Sequence, residues 1–333
     1  MVSENSNLEP FSLTVVVPAY NEMESLSAFN LRLLAVLEGL QCIYEVIYVD
    51  DGSTDATFAL LCGLRQLDGR VRILKLARNF GKEAALAAGL DFAESDAVVV
   101  IDADLQDPPE LIPRLVEAWR SGADVAFATR VHRDGESFIK RTTAAMFYRL
   151  IGNMGRVRIP HDTGDFRLLN RRAVLAMRQL REQHRFMKGL FSWIGYKQVS
   201  IPYSRDRRFA GNTKWNYWKL WNFAITGITS FSIAPLRLSM YSGILVAAIA
   251  FGYAIWIVGK TILLGDPVRG YPTIMVTILF LGGVQLVAIG VLGEYLGRMF
   301  DESKNRPLYL IDEVASNTAC TEFPQIGAGN INP

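Results

Sequence analysis

Two stretches near the C-terminus, Leu238–Val258 and Tyr271–Gly293, contain no charged side chain. Each exceeds the roughly 20 residues that a helix needs to cross a hydrocarbon core. The connection between them, Gly259–Gly270, is short, so the pair reads as a transmembrane hairpin with both flanks on one side of a bilayer. Lys214, Lys219, Arg237, Arg298, Lys304 and Arg306 lie outside the hairpin, against Lys260 and Arg269 in its connection. That excess predicts cytoplasmic flanks. The N-terminal MVSENSNLEPF shows no basic segment leading into an apolar run, so the large N-terminal domain is expected to stay in the cytoplasm as well.

Ahead of the hairpin the pattern changes. Short runs rich in Val and Ile (Leu13–Val17, Val46–Val49, Val71–Leu76, Ala97–Ile101, Val125–Ala128) alternate with amphipathic stretches over Glu22–Leu40, Asp55–Leu67, Lys82–Ala93 and Glu110–Ser121. Continuous β-branched runs separated by helices predict a mostly parallel sheet covered on both faces, an α/β doubly wound fold. Ligands of such folds bind beyond the carboxyl ends of the strands. Those ends are polar here: Pro18-Ala19-Tyr20-Asn21-Glu22, Asp50-Asp51-Gly52, Arg78-Asn79-Phe80-Gly81-Lys82, Asp102-Ala103-Asp104-Leu105-Gln106 and Thr129-Arg130. A single acidic strand end is often a helix cap. Several on one edge read as a site.

Composition narrows the chemistry. A formal net charge of +2 argues against a nucleic-acid partner. Cys42, Cys62 and Cys320 are an odd, dispersed set and read as reduced thiols, while His132, His161 and His184 are too scattered for a histidine metal centre. Neither GxGxxG after the first strand nor GxxxxGK[ST] occurs, which disfavours a dehydrogenase and a P-loop NTPase. Asp102 and Asp104 are two carboxylates one residue apart at the end of an apolar strand. Hard-oxygen ligands of that kind suit Mg²⁺ or Mn²⁺ shared with substrate phosphates. Beyond Arg130 the pattern is irregular, with a basic helix near Phe138–Ile151 and a loop at Thr163–Arg167. Trp215, Trp218 and Trp221 follow at helical spacing, as befits a helix in the headgroup region. The tail from about Ser316 is polar and expected to be poorly ordered.

PAYNE, DDGSTD and DADLQDPPE, in this order on these strand ends, resemble the inverting GT-A family 2 glycosyltransferases. RNFGKEAALAAG, TGDFRLL, RFAGNTKW and LGEYLGR narrow the resemblance to the polyprenyl-phosphate glycosyltransferases, which include bactoprenol glucosyltransferases and dolichol-phosphate mannose synthases. The two-span hairpin and GDFRLL look most like the bactoprenol branch. The likeness runs from about Leu13 to Tyr309. It implies a nucleotide-sugar donor lined by Pro18, Ala19, Tyr20, Glu22, Asp50, Asp51, Gly52, Asp102 and Ala103, with Asp50 toward the base. It implies a divalent Mg²⁺ or Mn²⁺ on Asp104 and Gln106, and a catalytic role for Asp165 beside Asp104.

Arg130, Arg141 and Arg208 match the positions that hold the acceptor phosphate in this family, with Lys214 assisting; forked guanidinium donors suit a phosphate. Ala145, four residues after Arg141, replaces the serine common in the mannose synthases. The expected transfer is of glucose from UDP-glucose to undecaprenyl phosphate, or the same reaction with GDP-mannose or a UDP-aminoarabinose derivative. A donor sensor without catalysis is the reading from another class, but its degenerate relatives lose acidic residues that remain here. The expected organisation is a catalytic domain over 1–209, interfacial helices over 210–235, the hairpin over 236–300 and a cytoplasmic tail over 301–333. Gly282, Gly283 and Gly290 allow close helix packing, so a homo-oligomer is expected.

Overall fold

The computed structural model describes residues 10–130, 163–203, 234–264 and 270–314. The five Val/Ile runs form β1 (Ser12–Ala19), β2 (Ile43–Asp50), β3 (Val71–Leu76), β4 (Ala97–Val100) and β5 (Val125–Arg130). Between them lie α1 (Leu26–Glu38), α2 (Thr57–Leu67), α3 (Lys82–Phe92) and α4 (Ile112–Arg120), the last entered through a 3-10 turn at Pro109–Leu111. Helix α1 starts four residues later than its amphipathic pattern. The Glu22 amide donates to Thr57 Oγ1 at 2.9 Å, which holds Glu22 in the preceding turn.

Alternation along the strands builds two cores. Leu13, Val15, Val17, Val46, Tyr48 and Val99 face α1, α2 and α4, whereas Val16, Ile47, Val49, Val98 and Val100 face α3 and the later helices. Close approach of α3 depends on Gly89. A Cβ there would sit 2.2 Å from Val16 Cγ1 and 3.2 Å from Val49 Cγ2.

The stretch expected as a loop at Thr163–Arg167 opens a strand instead. Strand β6 (Thr163–Asn170) runs antiparallel between β4 and β5 and is followed by α5 (Arg171–Gln179), α6 (Met187–Trp193) and β7 (Gln198–Tyr203). Its polar, Gly-containing start hides the pattern, yet Phe166, Leu168 and Leu169 are fully buried and fill both cores. The eight-stranded order is β7-β5-β6-β4-β1-β2-β3-β8. Pairing is parallel except for β6 and the edge strand β8 (Ile311–Val314), which runs antiparallel to β3.

The hairpin helices are α7 (Ala234–Leu264) and α8 (Tyr271–Ser303), of 31 and 33 residues. At 1.5 Å per residue they are about 46 and 50 Å long, so both outrun the uncharged runs and the hydrocarbon thickness. By length and composition Phe280–Ser303 is able to cross a membrane, and Ser239–Tyr253 is a shorter apolar stretch. Leu245, Phe251, Leu286 and Ile289 are exposed on these helices. The chain after α8 turns back onto the sheet. Tyr309 OH donates to Asp91 Oδ2 at 2.7 Å, the Ala77 amide to Leu310 O at 2.9 Å, and the Gln183 amide to Glu302 Oε1 at 2.7 Å. The segment expected as a cytoplasmic tail over 301–333 thus includes a sheet strand, just ahead of the polar stretch from about Ser316. The headgroup helix expected over 210–235, apart from the first residues of α7, and the chain beyond Val314 lie outside the described residues.

Replacing Gly89 by Ala should destabilise the protein by about 1–3 kcal/mol, the usual cost of forcing a methyl into a packed core. Chemical unfolding of the full chain in detergent checks this. Unchanged stability would mean that α3 does not lie against Val16.

Candidate active site

The carboxyl ends of β1, β2 and β4 meet at one edge of the sheet. Register pairs Ala19 with Asp50 and Val16 with Val100, so Pro18, Ala19, Asp50 and the Asp102–Gln106 turn gather there. Antiparallel β6 adds a residue from the opposite direction. Val100 pairs with Arg167 as the last pair of that ladder, and Asp102 and Asp165 lie two residues past it along the two chain segments. Residues 63 positions apart in sequence are thus brought near one another by strand pairing.

Lys82, the first residue of α3, joins them. Its ammonium donates to Asp102 Oδ2 at 2.6 Å and to Asp165 Oδ2 at 2.5 Å. Burial would lower the Lys82 pKa, but the two carboxylates hold it above the ordinary lysine range. Asp102 is pushed up to about 6 by burial and by the neighbouring Asp165 and Asp107 charges, which Lys82 only partly offsets. Burial would raise Asp165 too. There the ammoniums of Lys82 and Lys188 prevail and hold its carboxyl well below the usual range. Beside them, burial and the Asp165 charge push Glu83 up to about 8, and its Oε2 accepts the Met187 amide at 3.2 Å.

Three buried carboxylate oxygens have no hydrogen-bond partner among the described residues: Asp50 Oδ2, Asp102 Oδ1 and Asp165 Oδ1. An unsatisfied buried acceptor costs about 1–3 kcal/mol, so most folds avoid it. Here all three lie at the sheet edge where the sequence places a ligand.

The neighbouring side chains are held by turns. Asn21, at φ 54°, receives the Thr54 amide on Oδ1 at 2.9 Å and donates its own amide to Ser53 Oγ at 3.0 Å. Asp51 serves the architecture: its two oxygens accept the Phe80 and Gly81 amides at 2.7 and 2.9 Å and brace the loop that presents Lys82. Gly52, at φ 67°, lies so close to this loop that a Cβ would come within 2.6 Å of the Arg78 backbone. Tyr20 follows the end of β1, and Glu22 Oε2 accepts Ser25 Oγ at 3.0 Å. The Ala103 side chain points into the hydrophobic core. Asp104 Oδ1 accepts the Gln106 amide at 3.1 Å, tightening a turn in which Leu105 has φ 58°.

On the far side Arg130 donates from Nε to Tyr203 OH at 3.4 Å, and Tyr203 OH donates a short hydrogen bond to Asp107. Burial lowers the Arg130 pKa, whereas Tyr203 and Asp107 more than restore it. Arg141, Arg208 and Lys214 lie outside the described residues. Lys82 was legible as a cation in RNFGKE at a strand end, although the spacing assigns it no role. Lys188 and Arg167 were not legible. Arg167 is buried, donates to Gly164 O at 2.8 Å and lies over the Phe191 ring at 3.8 Å, contacts that arise only on folding.

This edge gathers acidic and basic groups in one place. Residues 14–177 match the glycosyl transferase family 2 domain, and residues 234–299 match the GtrB C-terminal hairpin. The chain is 53% identical over 302 residues to an uncharacterised glycosyltransferase of Synechocystis sp., covering 91% of this chain and 95% of that one. It is 46% identical to a prophage bactoprenol glucosyl transferase homolog of Escherichia coli, across 91% and 99% of the two chains. Bactoprenol glucosyl transferase of Shigella phage SfV matches at 48% identity, across 90% and 97%. A family 2 domain joined to that hairpin, with likeness over nearly the full length of these relatives, makes the chain a membrane-associated glycosyltransferase of family 2, in the group that carries the GtrB hairpin.

Proposed function

We propose that this glycosyltransferase moves glucose from UDP-glucose to the phosphate of undecaprenyl phosphate, inverting the anomeric carbon. The relatives named as bactoprenol glucosyl transferases support both the sugar and the lipid. The observation that carries the reading is the set of unpartnered oxygens on Asp50, Asp102 and Asp165 at one sheet edge, the last two acids bonded to Lys82. Asp50 Oδ2 accepts an N–H of the base. Pro18, Ala19, Tyr20, Glu22 and Gly52 shape the nucleotide pocket, with Asp51 acting through the loop and Ala103 through its backbone.

Asp102 and Asp104, with Gln106, are the residues that would hold Mg²⁺ or Mn²⁺. Among the described residues no group of three or more His, Cys, Asp or Glu forms a closed cage. The unpartnered Asp102 Oδ1 is the kind of oxygen that a hard cation would take. When bound, such an ion neutralises the charge that collects on the departing diphosphate. An acceptor phosphate oxygen attacks the anomeric carbon, the bond to UDP breaks, and its electron pair leaves with the diphosphate. The attacking oxygen is already ionised near pH 7, so positioning matters more than proton removal. Asp165, ion-paired with Lys82, is a weak base suited to orienting the sugar or acceptor. Arg130, Arg141 and Arg208, assisted by Lys214, hold the acceptor phosphate.

The catalytic domain (1–209), the interfacial helices (210–235) and the hairpin (236–300) divide this work, with the sheet domain and both termini on the cytoplasmic side of the plasma membrane. The return of β8 to the sheet supports a shared side for the catalytic domain and the end of α8. Gly282, Gly283 and Gly290 of α8 have open space where a Cβ would lie, which suits a helix of a second copy.

Full-length protein given undecaprenyl phosphate, Mg²⁺ or Mn²⁺ and labelled nucleotide sugars should transfer label from UDP-glucose into organic-extractable lipid. Asp104→Ala should reduce transfer to background. Label arriving only from another nucleotide sugar would correct the donor, and binding without any transfer would favour a sensor. Asp165→Asn should lower kcat about 10²-fold, the cost of mispositioned reactants, with donor KM little changed. Near-normal turnover in that variant would remove the orienting role.

A further inference from the structure

Arg130 ends β5, and the parallel register sets it opposite Tyr203, the last residue of β7. Paired residues of neighbouring strands share a face of the sheet, so the two side chains stand together. Tyr203 is 6% exposed and belongs to the same buried cluster as Ala126, Ala128 and Phe166. Its hydroxyl has two partners. It accepts from Arg130 Nε at 3.4 Å and donates a short hydrogen bond to Asp107 Oδ1. Asp107 is itself buried and follows directly on the Asp102–Gln106 turn.

These contacts engage the Nε of the guanidinium and leave its Nη edge open. None of the ion pairs within 4.0 Å among the described residues involves Arg130, and its hydrogen bond to a described residue is made by Nε. The open edge has a definite place. A Cβ on Gly164 would lie 3.4 Å from Arg130 Nη2 and 3.7 Å from Asp107 Oδ2. Arg130 Nη2 therefore lies beside the residue that immediately precedes Asp165, whose carboxylate takes the Lys82 ammonium at 2.5 Å. A guanidinium with free forked donors in that place is a ready contact for an anion.

An arginine held in advance loses less conformational freedom when it grips a ligand. Tyr203 supplies that hold without neutralising the charge, because Asp107 is bonded to the phenol and not to the guanidinium. A carboxylate placed directly on the fork would compete with the ligand for it; an interposed hydroxyl on Nε does not. We propose that Tyr203 and Asp107 are positioning residues for the lipid acceptor, fixing Arg130 by Nε so that its Nη edge meets the phosphate, a role that rests on the assignment of Arg130 to that phosphate. Gly164 keeps the space beside the fork free of a side chain.

The test is calorimetric binding of farnesyl phosphate, a short polyprenyl phosphate, to full-length protein in detergent, a readout that does not depend on which sugar moves. Farnesol, which lacks the phosphate, and UDP serve as comparison ligands. Tyr203→Phe keeps the ring and loses the hydroxyl. It should bind farnesyl phosphate about tenfold more weakly, the scale of one hydrogen bond to a charged group, with farnesol and UDP binding unchanged. Added to Arg130→Ala, the same substitution should cost nothing further, because the side chain it positions is gone. Asp107→Asn leaves the phenol a weaker, uncharged acceptor and should fall between wild type and Tyr203→Phe. Thermal unfolding identifies a variant that fails to fold, and Asp107→Asn then carries the comparison. Undiminished affinity for farnesyl phosphate in folded Tyr203→Phe and Asp107→Asn, with Arg130→Ala impaired, would overturn the positioning role alone. Undiminished affinity in Arg130→Ala would overturn the assignment of Arg130 to the acceptor phosphate, and this proposal with it.

Discussion

One ammonium group organises the candidate active site. Lys82 stands at the start of α3 and bonds two carboxylates from strands of opposite direction. Without it, Asp102 and Asp165 would be like charges a few ångströms apart in a partly buried site, and one would have to take up a proton. With it, both stay ionised beside oxygens left open for a ligand. The fold supports this contact twice over. The β4–β6 register aligns the two acids, and Asp51 braces the loop that delivers the lysine.

Much of this arrangement is legible in the linear chain. The Val/Ile runs mark β1 to β5, and the acids that end them mark the functional edge, because a parallel sheet exposes its carboxyl ends together. Asp50 and Asp102 could be identified on that ground alone. Asp165 was singled out through its GDFR motif, but its strand was not, since Thr163-Gly164-Asp165 begins with turn-forming residues and the large buried apolar side chains start only at Phe166. Lys188 joins through the packing of α6, which no local pattern announces. Strand β8 is four residues in a polar tail, too short for alternation to stand out.

The membrane hairpin and the catalytic sheet are physically continuous. Helix α8 runs past its apolar stretch, pairs Glu294 with Arg298 at 2.8 Å, and hands the chain to β8 at the sheet edge. The Arg181 fork on Asp91, at 2.6 and 2.9 Å, and the Tyr309 hydroxyl on the same acid bind that return to the body of the domain. Such a junction limits how far the active site can move from the bilayer. An enzyme whose acceptor phosphate stays anchored to its lipid needs that restraint, because the attack depends on position.

The central claim is that Lys82 and Asp165 act as one unit. A double-mutant cycle on kcat/KM with Lys82→Ala, Asp165→Asn and the pair together tests it directly. Residues in contact should show a coupling of about 0.5–3 kcal/mol, so the double variant should be little worse than the more damaged single one. Losses that simply multiply would mean that the two side chains act independently, and the account of the site built on their contact would be wrong.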